Sequence, residues 1–213
     1  KQLQERVSQQ QAAERVRSMT KAERKLFAQF IPTKREMRQL VAALDEISLS
    51  AYTGNVVITG MPGSGTLKLT KCMIREIQAS DGNFSGKVAK VNAELINKKD
   101  AKALVEKVAN GALVIEKAGK LSNEGCEKLA DALNQEHTGI IVFVLDEKRA
   151  IDRLYKKNGR LMESFTARFD IAALDSATLV KYGCQYAYTQ EYSIDELGRL
   201  ALHTRIEDMQ TSS

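Results

Sequence analysis

The stretch Gly60-Met61-Pro62-Gly63-Ser64-Gly65-Thr66-Leu67 holds the residue types best suited to chemistry. Three glycines within six positions let successive backbone N–H groups turn inward around an anion. A helix opening directly behind them would add the positive end of its dipole. The chemistry would be the cradling of a phosphate. Catalytic loops of this kind follow G-x-x-x-x-G-K-[ST], in which the lysine reaches the outer phosphates and the hydroxyl binds magnesium. Here those two places hold Thr66 and Leu67. Leucine cannot ligate a metal, and threonine offers a hydroxyl but no cation. Lys68 stands two positions late, about 200° further round a helix, and is expected to point away from the loop. Two readings stay open: a loop that still holds a nucleotide, or a tight strand–helix turn with no ligand.

A second candidate is Gly111-Ala112-Leu113-Val114-Ile115-Glu116-Lys117. An apolar run ending in acidic groups at the C-terminal edge of a strand is where a carboxylate would support magnesium and a second would polarise water. In this chain a lysine follows the glutamate. Protonated Lys117 cannot act as a base and puts positive charge where a metal would sit. Glu116 and Lys117 read as a local ion pair, or as a site adapted to another ligand.

These residues need elements to position them. An apolar run at 56–59 leads through the loop into a helix whose Leu69, Cys72, Met73 and Ile77 form one stripe. Further strands are expected at 87–91, 112–115, 140–145 and 169–172, with helices over 100–108, 123–135 and 148–157. Such apolar strands alternating with helices predict an α/β fold: a three-layer sandwich around a parallel five-stranded sheet covered on both faces. After Asp175 only helical patterns remain, at 176–188 and 193–209. Upstream, Thr20 and Glu23 form a capping box, and Thr33 and Glu36 form another ahead of an amphipathic helix. Residues 1–19 read as a polar helix or linker, with a coiled-coil arm as the sharper alternative. The expected domains are therefore a helical extension at 1–33, an α/β core at 34–174 and a helical subdomain at 175–213.

The order of loop, Glu116 strand, 140–145 strand, Ala167-Arg168-Phe169 and helical tail resembles the ATPase domain of the AAA+ superfamily, over roughly 34–210. The resemblance implies a P-loop NTPase fold with a helical lid and an ATP site between subunits of a ring. It gives Gly60, Pro62, Gly63, Ser64, Gly65, Thr66 and Leu67 to the phosphate loop and Glu116 to the Walker B strand. Asp146 then takes the sensor-1 position, where Asn or Thr is usual. Arg168 matches the arginine finger offered to a neighbour's nucleotide; its plainer reading is a surface arginine paired with Asp170 or Glu163. The sensor-2 arginine is expected beyond Ser213, with Arg199 and Arg205 as the candidates inside the chain, so the lid reads as truncated. Thr66, Leu67, Lys117 and Asp146 all depart from the family pattern. Phosphoryl transfer depends on positioning and electrostatic stabilisation, so losing these groups together predicts no hydrolysis.

Three functions follow. The first is a degenerate, non-hydrolysing AAA+-type domain serving as an assembly or protein-interaction module, in a homo- or hetero-oligomeric ring. The second is an ATPase that still binds and slowly hydrolyses ATP, with Lys68 or Lys117 taking over phosphate binding, to remodel a protein or nucleic-acid partner; ATP or ADP would be its ligand, and magnesium is not expected. The third is a clamp-loader-like or initiator-like subunit associated with DNA.

Composition narrows the remaining classes. The 213 residues carry a formal charge of +5, and the first fifty hold 10 Lys/Arg against 6 Asp/Glu. The basic helix around 21–38 has no groove-reading motif, so nucleic acid is not the expected partner. No apolar run reaches a membrane span. Three cysteines without C-x-x-C spacing indicate a reducing, cytoplasmic setting and no zinc, and Cys72 and Cys126 fall on apolar stripes. His137 and His203 have no ligand-type neighbours at metal spacing. Tyr182, Tyr186, Tyr188 and Tyr192 cluster near the tail, as helix packing or as a partner surface. The chain opens at Lys1 and closes on Thr211-Ser212-Ser213, which reads as a segment of a longer protein.

Overall fold

The computed structural model describes residues 17–50, 52–134, 139–173 and 175–211. The coiled-coil alternative for residues 1–19 lies almost wholly outside them, as does His137. The chain divides into two units, residues 1–171 and 172–213.

The first unit is built on five parallel strands: β1 (Val56–Thr59), β2 (Val88–Asn92), β3 (Ala112–Glu116), β4 (Ile141–Asp146) and β5 (Ala167–Asp170). Their order across the sheet is β2-β3-β4-β1-β5. The three central strands bury alternate side chains on opposite faces, as a sheet covered on both sides requires. Val57, Leu113, Ile115, Val142 and Val144 enter one core. Val56, Ile58, Val114, Ile141, Phe143 and Leu145 enter the other.

On the first face lie α4 (Ala93–Lys98), α5 (Ala101–Lys107), α6 (Asn123–Leu133), α7 (Lys148–Lys157) and α8 (Gly159–Met162), through Ile96, Val105, Leu129, Leu154 and Leu161. On the second lie α1 (Lys21–Leu26), a 3₁₀ turn (Ala28–Phe30), α2 (Lys34–Glu46) and α3 (Thr66–Ser80), with Phe27 and Phe30 joining Leu40, Leu69 and Met73. Cys72 and Cys126 are buried among these side chains.

Thr20 and Glu23 form the expected reciprocal capping box on α1. The second box is different. The Thr33 hydroxyl accepts from Arg35 N and donates to the Glu36 carboxylate, so Glu36 is engaged by the side chain rather than by the cap backbone. Two short helices, α4 and α8, escape the periodicity, because six and four residues are too few to show a 3.6-residue repeat. The fifth strand begins two residues earlier than its apolar run. Ala167 N bonds to Asn55 O at 3.1 Å, which starts the pairing there and makes Arg168 a strand residue opposite Val57.

The second unit is a helical hairpin of α9 (Ser176–Thr189) and α10 (Glu196–Thr211). Asp175 caps α9 by accepting from Thr178 N at 2.7 Å. Gly183 permits close helix approach, since a Cβ there would lie 2.8 Å from Leu202 Cδ2. Tyr186, Tyr188 and Tyr192 are exposed over most of their surface.

Candidate functional site

The chain leaves β1 at its C-terminal edge and turns through the glycine loop into α3. Gly63 and Gly65 have φ of 80° and 91°, the left-handed region that glycine enters without cost. A tight turn closes the loop, with Ser64 N donating to Met61 O at 3.0 Å. Gly60 must lack a side chain, because a Cβ there would lie 2.2 Å from Ser64 Oγ. That hydroxyl is buried and has no hydrogen-bond partner among the described residues. No side chain caps α3, so its first N–H groups are left for another acceptor. The backbone cradle is complete.

The side chains around it have partners of their own. Lys68 leaves the loop, as its angular position predicts, and donates from Nζ to Gln29 Oε1. Leu67 packs against the core beneath α3. Glu116 pairs with Lys90, at 3.1 Å on the neighbouring strand, instead of with Lys117. The expected Glu116–Lys117 pair is thus replaced, because Lys117 adopts φ 53° and ψ 46° and opens a 3₁₀ turn (Ala118–Lys120).

Asp146 has a structural job. Its Oδ2 accepts from Gly119 N at 2.8 Å and its Oδ1 from Glu147 N at 2.7 Å, while its carbonyl accepts from Gly60 N at 3.2 Å. One residue therefore ties together the turn after β3, the end of β4 and the start of the loop. Gly119 fits against it because a Cβ would lie 2.7 Å from Ala150 Cβ.

Arg168 is ion-paired. Its Nε reaches Asp170 at 2.9 Å, as expected, and its Nη2 reaches Asp152 at 3.3 Å, in the place expected for Glu163. The guanidinium lies 6.0 Å from the centroid of the Tyr155 ring. Burial opposes its charge, but the two carboxylates outweigh that and hold it above its ordinary pKa.

Gly60, Pro62, Gly63, Thr66, Glu116 and Asp146 line one open cleft of about 1180 Å³ at the C-terminal edge of the sheet. This is where α/β sheets place ligands. Ser64, Gly65, Leu67 and Arg168 do not line it. Sequence reading overlooked the far wall, where Arg149, Arg153 and Lys156 project from α7. The run Lys148-Arg-Ala-Ile-Asp-Arg-Leu-Tyr-Lys-Lys157, with five cations and one acid, was the available signal. Among the described residues no three His, Cys, Asp or Glu side chains could hold a metal ion, and no helix is long and apolar enough to cross a membrane.

No protein-family model and no curated protein matches the chain. Solved structures do. The chain is similar to the RuvB Holliday junction branch migration motor of Thermotoga maritima, with TM-score 0.55 and 13% identity, over 86% of this chain and 67% of that one. The P216G mutant of T. maritima RuvB gives 0.55 and 16%, over 83% and 62%. The Aeropyrum pernix ORC2 protein gives 0.51 and 15%, over 73% and 52%. The chain thus spans about half to two thirds of these proteins. At such identities the likeness is one of fold. With its parallel sheet and glycine loop at the C-terminal strand edge, the chain has an α/β fold of the P-loop NTPase type, which it shares with these proteins.

Proposed function

We propose that the chain is a non-hydrolysing AAA+-type domain that serves as an assembly or protein-interaction module. One observation carries this reading: the backbone cradle is intact while Lys68, Leu67, Glu116 and Asp146 beside it are each engaged by other groups of the chain. Lys68 is held by Gln29, Leu67 by the core, Glu116 by Lys90, and both carboxylate oxygens of Asp146 by backbone N–H groups. The implied ligand of the fold is a magnesium nucleotide. The cradle and the orphaned Ser64 hydroxyl suit an anion, but the metal's donors do not fit, so no reaction step is drawn through it.

The test is a steady-state ATPase assay with magnesium on the full chain. No turnover above a buffer blank is expected. Turnover that Glu116→Ala abolishes would overturn the proposal. A second reading, retained nucleotide binding without hydrolysis, has one observation in its favour: Lys117 lines the same cleft as Gly63 and Thr66. Calorimetric titration with ATP, with and without magnesium, separates the two. Micromolar binding lost in Lys117→Ala supports the second reading, and an absence of heat removes it.

A further inference from the structure

The cleft beside the loop has a charge balance that its composition conceals. It is lined by acids as well as bases, but the acids are mostly engaged. Glu116 faces Lys90, Asp152 faces Arg168, and Asp146 takes two backbone N–H groups. Only Glu147 is left over. The cations are the reverse case. Lys120 is paired with Glu94, but Lys117, Arg149, Arg153 and Lys156 make no ion pair with any described residue. The three on α7 stand at i, i+4 and i+7, so they share one helix face over about 10 Å of rise. Lys117 faces the same space from the turn after β3, and the loop with the uncapped start of α3 closes its end.

We propose that this cleft binds a chain of phosphates, without a metal ion. Three cations along one face of α7 and Lys117 across the cleft provide the neutralising charge that magnesium and a loop lysine provide elsewhere. Arginine forks suit phosphate oxygens, and the left-handed glycines with the start of α3 form a concave nest of N–H donors for one terminal phosphate. The space exceeds the ~300–1,000 Å³ of an ordinary small-molecule pocket. No aromatic residue lines it, so it offers a base no aromatic platform. Recognition therefore runs chiefly through phosphates, and the chain belongs either to a nucleic-acid strand or to inorganic polyphosphate. The inference is independent of whether the domain hydrolyses ATP.

The test uses the full chain in EDTA and low salt, with fluorescence anisotropy of a labelled 12-nucleotide oligothymidylate. Unlabelled polyphosphate and poly-glutamate serve as competitors. Binding is expected, displaced by polyphosphate and at least tenfold less by poly-glutamate. The triple variant Arg149→Gln/Arg153→Gln/Lys156→Gln, all exposed positions, should weaken binding at least tenfold and flatten the log–log salt slope by about 2. A control of equal charge, Lys21→Gln/Lys25→Gln/Lys34→Gln, should bind as the parent does. Circular dichroism checks that both variants fold. Labelled polyphosphate binding where the oligonucleotide does not would support the site and identify the source. Three results overturn it: no binding of either phosphate chain, equal loss in both triple variants, or poly-glutamate competing as well as polyphosphate. The last would make the cleft a dock for an acidic protein segment.

Discussion

Glu23 is the most perturbed carboxylate described. It is buried, and the Arg17 guanidinium grips both its oxygens at 2.6 and 2.9 Å. That bond outweighs desolvation and, with the Thr20 N–H, lowers its pKa from 4.5 to about 2. Because the folded value lies below the unfolded one, the stabilisation is present above pH 4.5 and is lost as pH falls toward 2. Its size is on the order of 2 kcal/mol. Denaturant midpoints measured from pH 6 to pH 2 should fall across that window, and Glu23→Gln should be less stable at pH 6 and titrate less steeply. The buried thiols behave oppositely. Desolvation raises Cys72 and pushes Cys126 up to about 11, so native-state labelling at pH 8 should modify Cys184 first and leave those two protected until unfolding. At this scale the glycine loop was legible from types and spacing. The partner of Glu116 and the second partner of Arg168 were not. Lys90 lies 26 positions from Glu116 and Asp152 lies 16 from Arg168, and strand pairing and helix packing set who meets whom.

Among elements, β4 contributes to both cores and carries the most. Phe143 is fully buried between β1 and β3. Phe143→Ala should cost about 3–5 kcal/mol by chemical denaturation, and a loss below 1 kcal/mol would mean the sheet repacks freely. Strands β1, β3 and β4 announced themselves because burial on both faces demands unbroken apolar runs. The fifth strand was expected two residues late, at 169–172, because Ala167 and Arg168 are not apolar markers. Its start is set by hydrogen bonds to Gly54 and Asn55, more than a hundred residues earlier. Helix α7 was legible as a helix but not as a wall. Its charges took on meaning only once β4 delivered its N-terminus to the cleft.

For the whole molecule, the two units meet in sequence at Ile171–Ala172, and Ala172 and Ala173 are exposed. Limited elastase digestion should cut there first and release a fragment ending near residue 173. Early cuts inside β1 or β4 would contradict the division. Net charge also changes meaning at this scale. The excess of +5 sits mostly before residue 51 by count, yet four cations of the core without an ion pair among the described residues line one cleft. The sequence by itself determined the α/β alternation, the glycine loop, the threonine and leucine that follow it, and the helical tail, since each rests on local type and period. Only the tertiary structure decided which acids are engaged and which cations are not. Ion pairing depends on distances between residues far apart in the chain, and a parallel sheet brings those residues together at the ends of its strands.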